Sequence, residues 1–328
     1  MMRAATLQYL AEDAGSSVRI GQTPHSVVFR QGKAALRCFQ PATVTRAPVF
    51  ISMPLINTWT VWDLQPHNSV VQAILSTGAP VYLLDWGSPG PEDARLRIED
   101  LVDSLLGRML DRARRHAGVE ELDALGYCVG GTFLALHLAR NPAPVRRLCL
   151  VCTPIDFHAS GRLKTWADPS TFPVDAIVDG LGNFPPEMMQ QSFAWLRPLG
   201  TWKKYRSLDK RIDQPDFVEL FSALEKWNST PVEFPGEVYR AYVRGCYFEN
   251  RLMQDDWDIA GRPTSLSGCS IPALTIAGDR DHICPPDAAH ALSEVWGGPV
   301  EQKTLRGGHV ALSLNPAFHE ALREWLTA

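Results

Sequence analysis

The stretch Leu-Asp-Ala-Leu-Gly-Tyr-Cys-Val-Gly-Gly-Thr, residues 122 to 132, carries an apolar strand-like run directly into a helical pattern ending at Arg140. This predicts a sharp strand-to-helix turn with Cys128 at its tip. The spacing Gly126-x-Cys128-x-Gly130 is that of a nucleophile elbow with cysteine in place of serine. A residue at such a tip adopts a strained backbone, and the flanking glycines let strand and helix pass closely. The free amides and dipole of the following helix favour a thiolate, the reactive form of cysteine. Taken alone, the same string also fits a tight turn with a buried, inert cysteine, so the rest of the chain has to decide.

Few folds accommodate what surrounds this turn. Residues 26 to 38 form two apolar runs about Gln31-Gly32-Lys33, a hairpin signal. Strand-like runs then recur at 48 to 53, 80 to 86, 122 to 127, 147 to 153, 272 to 277 and 300 to 305. Helical stretches lie at 68 to 77, 92 to 117, 130 to 140, 287 to 296 and 316 to 326. Such alternation predicts an α/β fold, a mostly parallel sheet flanked by helices. It stops between Pro154 and Cys269, where 5 of the 10 tryptophans, helical runs and proline breaks occur without a good strand. Residues 154–269 are therefore expected to be a helical cap inserted into a discontinuous core of residues 1–153 and 270–328. A cap there sits over the strand ends, where ligands bind in open α/β sheets. Its tryptophans fit core packing, or in part the lining of an apolar acyl channel.

Composition excludes several function classes. The chain of 328 residues, 45% hydrophobic and 21% charged, has the balance of a soluble globular protein. A net charge of −4 without a basic, aromatic-interleaved run argues against nucleic acid as partner. No apolar run approaches a transmembrane span, and Glu12 and Asp13 interrupt any signal-like segment. Seven scattered cysteines suggest free thiols in a reducing cytoplasm. The pair Cys149 and Cys152 has a zinc-like spacing but lies in a run that reads as a buried strand, where residues three apart face opposite ways. No metal and no bound cofactor are expected, since phosphate-binding glycine loops are also missing from the sequence.

A cysteine that attacks an acyl group needs a histidine base and an acid that orients it. In chains of the α/β-hydrolase fold these follow the nucleophile as acid, then histidine. The strand after the cap ends in Gly278-Asp279-Arg280-Asp281-His282, and the next ends in Gly307-Gly308-His309. Asp281, further out than the turn residue Asp279, is the expected acid and His309 the base. His282 is expected to support the acid loop. His67, His137, His290 and His319 fall in helical or surface positions. The oxyanion hole would use the backbone N–H of Val129 and one from Pro54-Leu55-Ile56-Asn57, where proline has none and the donor is Ile56 or a neighbour.

With these residues placed, the chain resembles polyhydroxyalkanoate synthases, most of all the short catalytic subunits of the two-component class III and IV enzymes. The resemblance spans nearly the whole chain: PLIN and WDLQPHNSVV (54 to 71), LLDWGSPGPED (83 to 93), GYCVGGT (126 to 132) and TPIDF (153 to 157). It continues through the cap in VDGLGNFPPEMM (178 to 189), FAWLRP (193 to 198) and EKWNSTPVEFPGEVYRAYVRGCYFENRL (225 to 252), and ends with DRDHICPP (279 to 286). Departures include Pro185-Pro186 where Pro-Gly is frequent, Leu101 where a tyrosine is common, and Val-Ala-Leu-Ser after His309.

The resemblance implies that Cys128 is acylated, with His309 as base and Asp281 as its partner. The implied substrate is an (R)-3-hydroxyacyl-CoA thioester, with the growing polyester as acceptor. It also implies a homodimer, a possible second synthase subunit, and a cytoplasmic enzyme at the polyester granule surface. A thioesterase or polyester depolymerase using the same triad, with water as acceptor, is the alternative. A non-catalytic granule-binding protein is a third reading.

Overall fold

A computed structural model describes residues 2–11, 17–141 and 144–328, so Glu12 and Asp13 lie outside the described residues. Twelve strands occur among them. In chain order they are β1 (Ser26–Gln31), β2 (Ala34–Phe39), β3 (Val49–Ser52), β4 (Asp63–Gln65), β5 (Asn68–Ser69), β6 (Val81–Asp85), β7 (Leu122–Tyr127) and β8 (Val145–Val151). The remaining four are β9 (Trp257–Ile259), β10 (Arg262–Thr264), β11 (Ala273–Gly278) and β12 (Val300–Leu305). Eight form one sheet in the order β1-β2-β6-β3-β7-β8-β11-β12. Its pairings are parallel except those of β2, which runs against both β1 and β6. The mostly parallel sheet expected from the alternating pattern is thus present.

β7 lies at the centre and every one of its residues is buried. That explains its continuous apolar run: with both faces covered, no polar alternation is needed. Its one charge, Asp123, is neutralised by Arg146, whose Nη2 lies 2.9 Å away, and by Arg147 at 3.1 Å. A buried carboxylate without such partners would be costly.

Two expected helices are divided. Residues 92 to 117 begin as a 3₁₀ turn at Pro91–Asp93, resume as a π-helical turn at Asp100–Leu105, and become α-helical only over Leu106–Ala117. Asp93 and Asp100 cause the breaks, taking the backbone N–H of Gly90 and Arg97 onto their carboxylates at 2.9 Å each. The segment 287 to 296 likewise forms two short helices, Pro286–His290 and Leu292–Val295.

Between β8 and β11 the chain leaves the sheet for helices that run from Arg162–Trp166 to Arg251–Gln254. This stretch was expected to lack strands, yet β9 and β10 form a small hairpin through Ala260 and Gly261, both at positive φ (53° and 75°). Strands of three residues are too short to show an alternating pattern. The helix Ala4–Ala11 is tied to the same helical layer by Arg3–Asp213 at 2.6 Å and by Tyr9 Oη to Ser222 Oγ at 2.6 Å. No helix among the described residues is long and apolar enough to cross a membrane.

Candidate active site

The turn after β7 is built as its spacing predicts. Cys128 has φ 52° and ψ −135° and begins the helix Val129–Arg140. A side chain is strained at positive φ and stays there only where its surroundings dictate the backbone. Here they do: a Cβ on Gly126 would lie 2.3 Å from Gly131 Cα, and one on Gly130 would lie 2.2 Å from Met53 O. The helix therefore presses against both β7 and the end of β3 with no space for a methyl group. Ser52 Oγ donates to Gly130 O at 2.8 Å and reinforces the contact. The Val129 N–H falls in the first helical turn, where no intrahelical acceptor exists.

The loops after β11 and β12 bring a second pair together. Asp281 is buried and its Oδ2 lies 2.6 Å from His309 Nδ1. Asp281 Oδ1 accepts the N–H groups of Ile283 at 2.8 Å and Cys284 at 2.9 Å, which fix the carboxylate. Burial pushes the Asp281 pKa upward, but the facing His309 and these hydrogen bonds win and hold it below the ordinary value. Burial by itself would discourage the imidazolium of His309, yet Asp281 foremost, then Tyr127 and Cys128, raise its pKa well above the usual range. His309 also stacks on Tyr127 at 5.5 Å and 28° between planes, and Tyr127 Oη donates to His309 O at 3.2 Å. With Nδ1 engaged, Nε2 is the ring nitrogen left to exchange a proton.

Cys128 faces two cavities. One, of about 300 Å³, is lined by His309 and by the polar side chains of Asn57, Gln190 and Asn228. The other, of about 120 Å³, is aromatic and apolar, with Trp166, Phe172, Phe184, Tyr239, Tyr242 and Tyr247 in its wall. Ile56, Met189, Phe193 and Ile283 line both. Tyr242 precedes a π-helical turn, Val243–Phe248, and Tyr247 lies within it, and both rings stand against Phe157. Such turns recur at functional sites.

The structure therefore brings Cys128, Val129, Ile56 and His309 to one site, with Asp281 behind His309. His282 is not brought in: it is exposed, and its neighbour Ile283 lines the cavities instead. Asp279 is on the outside, accepting Gly307 N at 2.8 Å and so tying the two loops together. His137, His290 and His319 are occupied with Val102 O, Thr275 and Ser313 O, and His67 is exposed. Among the expected cap tryptophans, Trp227 and the partly exposed Trp166 line cavities, whereas Trp195 and Trp202 are exposed and line neither. Cys152 was read as part of a buried strand, but β8 ends at Val151, and the sulfur of Cys152 lies within 4.8 Å of ligand atoms of Asp281 and His309. No sequence pattern marks that position.

Comparison with known proteins bears on the fold and the family. Residues 59–316 match the alpha/beta hydrolase fold and residues 12–74 match the N-terminus of poly-beta-hydroxybutyrate polymerase (PhaC). The chain is 33% identical to the poly(3-hydroxyalkanoate) polymerase subunit PhaC of Haloferax mediterranei, over 94% of this chain and 65% of that protein. It thus spans about two thirds of that relative's length. It is 30% identical to the subunit of the same name from Allochromatium vinosum, over 94% of this chain and 90% of the relative. Among solved structures, a monoacylglycerol lipase from Paleococcus ferrophilus superposes with a TM-score of 0.53 at 16% identity, covering 89% of this chain and 98% of the lipase. That likeness concerns the fold alone. Its sheet, its elbow and its likeness to both relatives make this chain a member of the poly(3-hydroxyalkanoate) polymerase PhaC family, on the alpha/beta hydrolase fold.

Proposed function

We propose that the chain is an acyltransferase that polymerises (R)-3-hydroxyacyl-CoA through an acyl-Cys128 intermediate. The observation that carries this reading is the position of Cys128, at a strained elbow tip facing both His309 and an aromatic cavity. His309 takes the proton of Cys128, and the thiolate adds to the thioester carbonyl. The N–H of Val129, with Ile56 or a neighbour opposite, stabilises the oxyanion. As the carbonyl re-forms, the C–S bond to CoA breaks, and the CoA thiolate leaves with the proton from His309. The 3-hydroxyl of a second hydroxyacyl unit then gives its proton to His309 and attacks the acyl-cysteine. The new ester forms as Cys128 is released, and the chain is one unit longer. Asp281 keeps His309 oriented and stabilises its charged form throughout.

Thioesterase and depolymerase chemistry would differ only in the acceptor, water. The aromatic wall beside Cys128 supports an alcohol acceptor, because an apolar site admits water poorly. The family resemblance suggests further that the enzyme works as a homodimer at the granule surface, with or without a second subunit. Incubating the purified chain, alone and with a candidate second subunit, with 3-hydroxybutyryl-CoA tests the reading. Insoluble polyester together with CoA release supports it, and free 3-hydroxybutyrate in its place points to the hydrolase.

A further inference from the structure

Cys152 occupies a position unlike that of any other cysteine outside the elbow. β8 ends at Val151, which pairs with Tyr127, so Cys128 and Cys152 are the next residues along two neighbouring strands. Both turn to positive φ, 52° and 46°, and each N–H bonds across to the adjacent strand, Cys128 to Val151 O at 3.0 Å and Cys152 to Ile276 O at 2.8 Å. Cys152 is thus a second non-glycine residue held in the left-handed region at the C-terminal edge of the sheet, a conformation that costs about 1–3 kcal/mol by itself. The consequence is placement: the Cys152 sulfur, a carboxylate oxygen of Asp281 and a ring nitrogen of His309 lie within 4.8 Å of one another, in a spot where Cys152 has no solvent exposure.

The hydrogen-bond accounting leaves a task for that thiol. Asp281 Oδ1 holds two backbone N–H groups and Oδ2 holds His309 Nδ1. A carboxylate has about four acceptor sites, and a buried thiol is a donor in need of one. The separation of 2.6 Å between Nδ1 and Oδ2 is shorter than two ligands of one tetrahedral metal ion would be, so Asp281 and His309 are a hydrogen-bonded pair with the Cys152 sulfur beside it. We infer that Cys152 is a positioning residue for the His309–Asp281 pair, its S–H donating to the Asp281 carboxylate and limiting how strongly that carboxylate holds the imidazolium.

Burial supports the donor role, pushing the Cys152 thiol up to about 11, so that it keeps its proton at neutral pH even though the neighbouring His309 pulls the other way. The other ionisable groups facing the pair are Tyr127 at the end of β7, Cys128 at the elbow and Cys284 from the loop after Asp281. Removing the S–H leaves more negative charge on Asp281 and makes His309 a stronger base.

The inference rests on the reading that His309 serves Cys128, and the test separates the two. The pH profile of Cys128 alkylation by iodoacetamide, followed by peptide mass spectrometry, needs no substrate. CoA release from 3-hydroxybutyryl-CoA is recorded over the same pH range. For Cys152→Ala, the midpoint of the alkylation profile rises by about half a pH unit, a threefold change at the lower end for one hydrogen bond. For Cys152→Ser, whose O–H is the stronger donor, it stays at the wild-type value or falls. Thermal melts accompany each variant, and should Cys152→Ala not fold, Cys152→Thr, which keeps a donor, is expected to match Cys152→Ser. Alkylation midpoints that rise equally in the alanine and hydroxyl variants, or do not move at all, overturn the inference. A shifted midpoint in a protein that never releases CoA leaves the inference standing and overturns the proposed function instead.

Discussion

His309 Nδ1 lies 2.6 Å from Asp281 Oδ2, with the His309 side chain 10% exposed and the Asp281 side chain fully buried. Two loops that are 28 residues apart in sequence make this contact, and both are fixed by the strands they follow, β11 and β12, which pair in parallel register from Ala273↔Val300 to Gly278↔Leu305. The strand ends bring the two loops side by side, and the loop hydrogen bonds of Asp281 and Asp279 then fix the pair.

Asp281→Asn keeps the shape of the pair while removing its charge. The exchange also lets His309 adopt the wrong tautomer, so CoA release is expected to fall by about 10²–10⁴-fold. Asp279→Asn, which keeps an oxygen to accept Gly307 N, is expected to stay within a few-fold of wild type. Equal losses in the two variants, measured by thiol titration of released CoA, would contradict the choice of acid.

The raised pKa of His309 predicts a direction for stability. Because the folded value lies well above the ordinary 6.5, folding binds a proton more tightly at this residue, and the resulting stability is full below pH 6.5 and is lost as pH rises through the folded value. Asp281, held below its ordinary 3.8, contributes above that pH and loses its share as pH falls through the folded value. The difference in melting temperature between wild type and His309→Gln should therefore be greatest between about pH 4 and 6.5 and shrink towards alkaline pH. A difference that grows with rising pH above 6.5 would show the sign to be wrong.

Phe193 lines both cavities beside Cys128. Phe193→Ala opens the apolar side, and the ratio of kcat/KM for 3-hydroxyhexanoyl-CoA over 3-hydroxybutyryl-CoA is expected to rise by about tenfold or more, the scale of one or two methylenes in an apolar pocket. An unchanged ratio would remove this cavity from acyl selection.

Gly130→Ala places a methyl group 2.2 Å from Met53 O, whereas a Cβ on Gly268 meets nothing within 4 Å. The first exchange is expected to cost about 1–3 kcal/mol, as overpacking of a tight contact does, and to lower activity by moving the elbow. The second should melt like wild type. Comparable melting of the two variants would mean that β3 and the elbow helix yield more easily than the contact implies.

Much of this was legible in the residues. Period and apolar run length placed β7, β8, β11 and β12 to within two residues at each end, because strands buried on both faces advertise themselves. Cys128, Asp281 and His309 could be picked out because each follows such a strand. What escaped were features decided by local hydrogen bonding or by three-dimensional proximity. Asp93 and Asp100 break a helix that periodicity alone would continue. The β9–β10 hairpin is too short for a pattern. His282 looked like a supporting residue from its place beside Asp281, yet the turn carries it outward. Cys152 seemed one more core cysteine, since nothing in a sequence states that a strand ends two residues early, at Val151, and turns its next side chain towards an acid–base pair.

The central claim is that Cys128 carries the acyl group. Rapid quenching of the enzyme with 3-hydroxybutyryl-CoA, followed by proteolysis at low pH and mass spectrometry, tests it directly. The peptide holding Cys128 should gain the mass of one or more 3-hydroxybutyryl units, and the gain should vanish in Cys128→Ala together with CoA release. CoA release that persists in Cys128→Ala, or an acyl group found on Cys152 while Cys128 stays unmodified, would contradict the account.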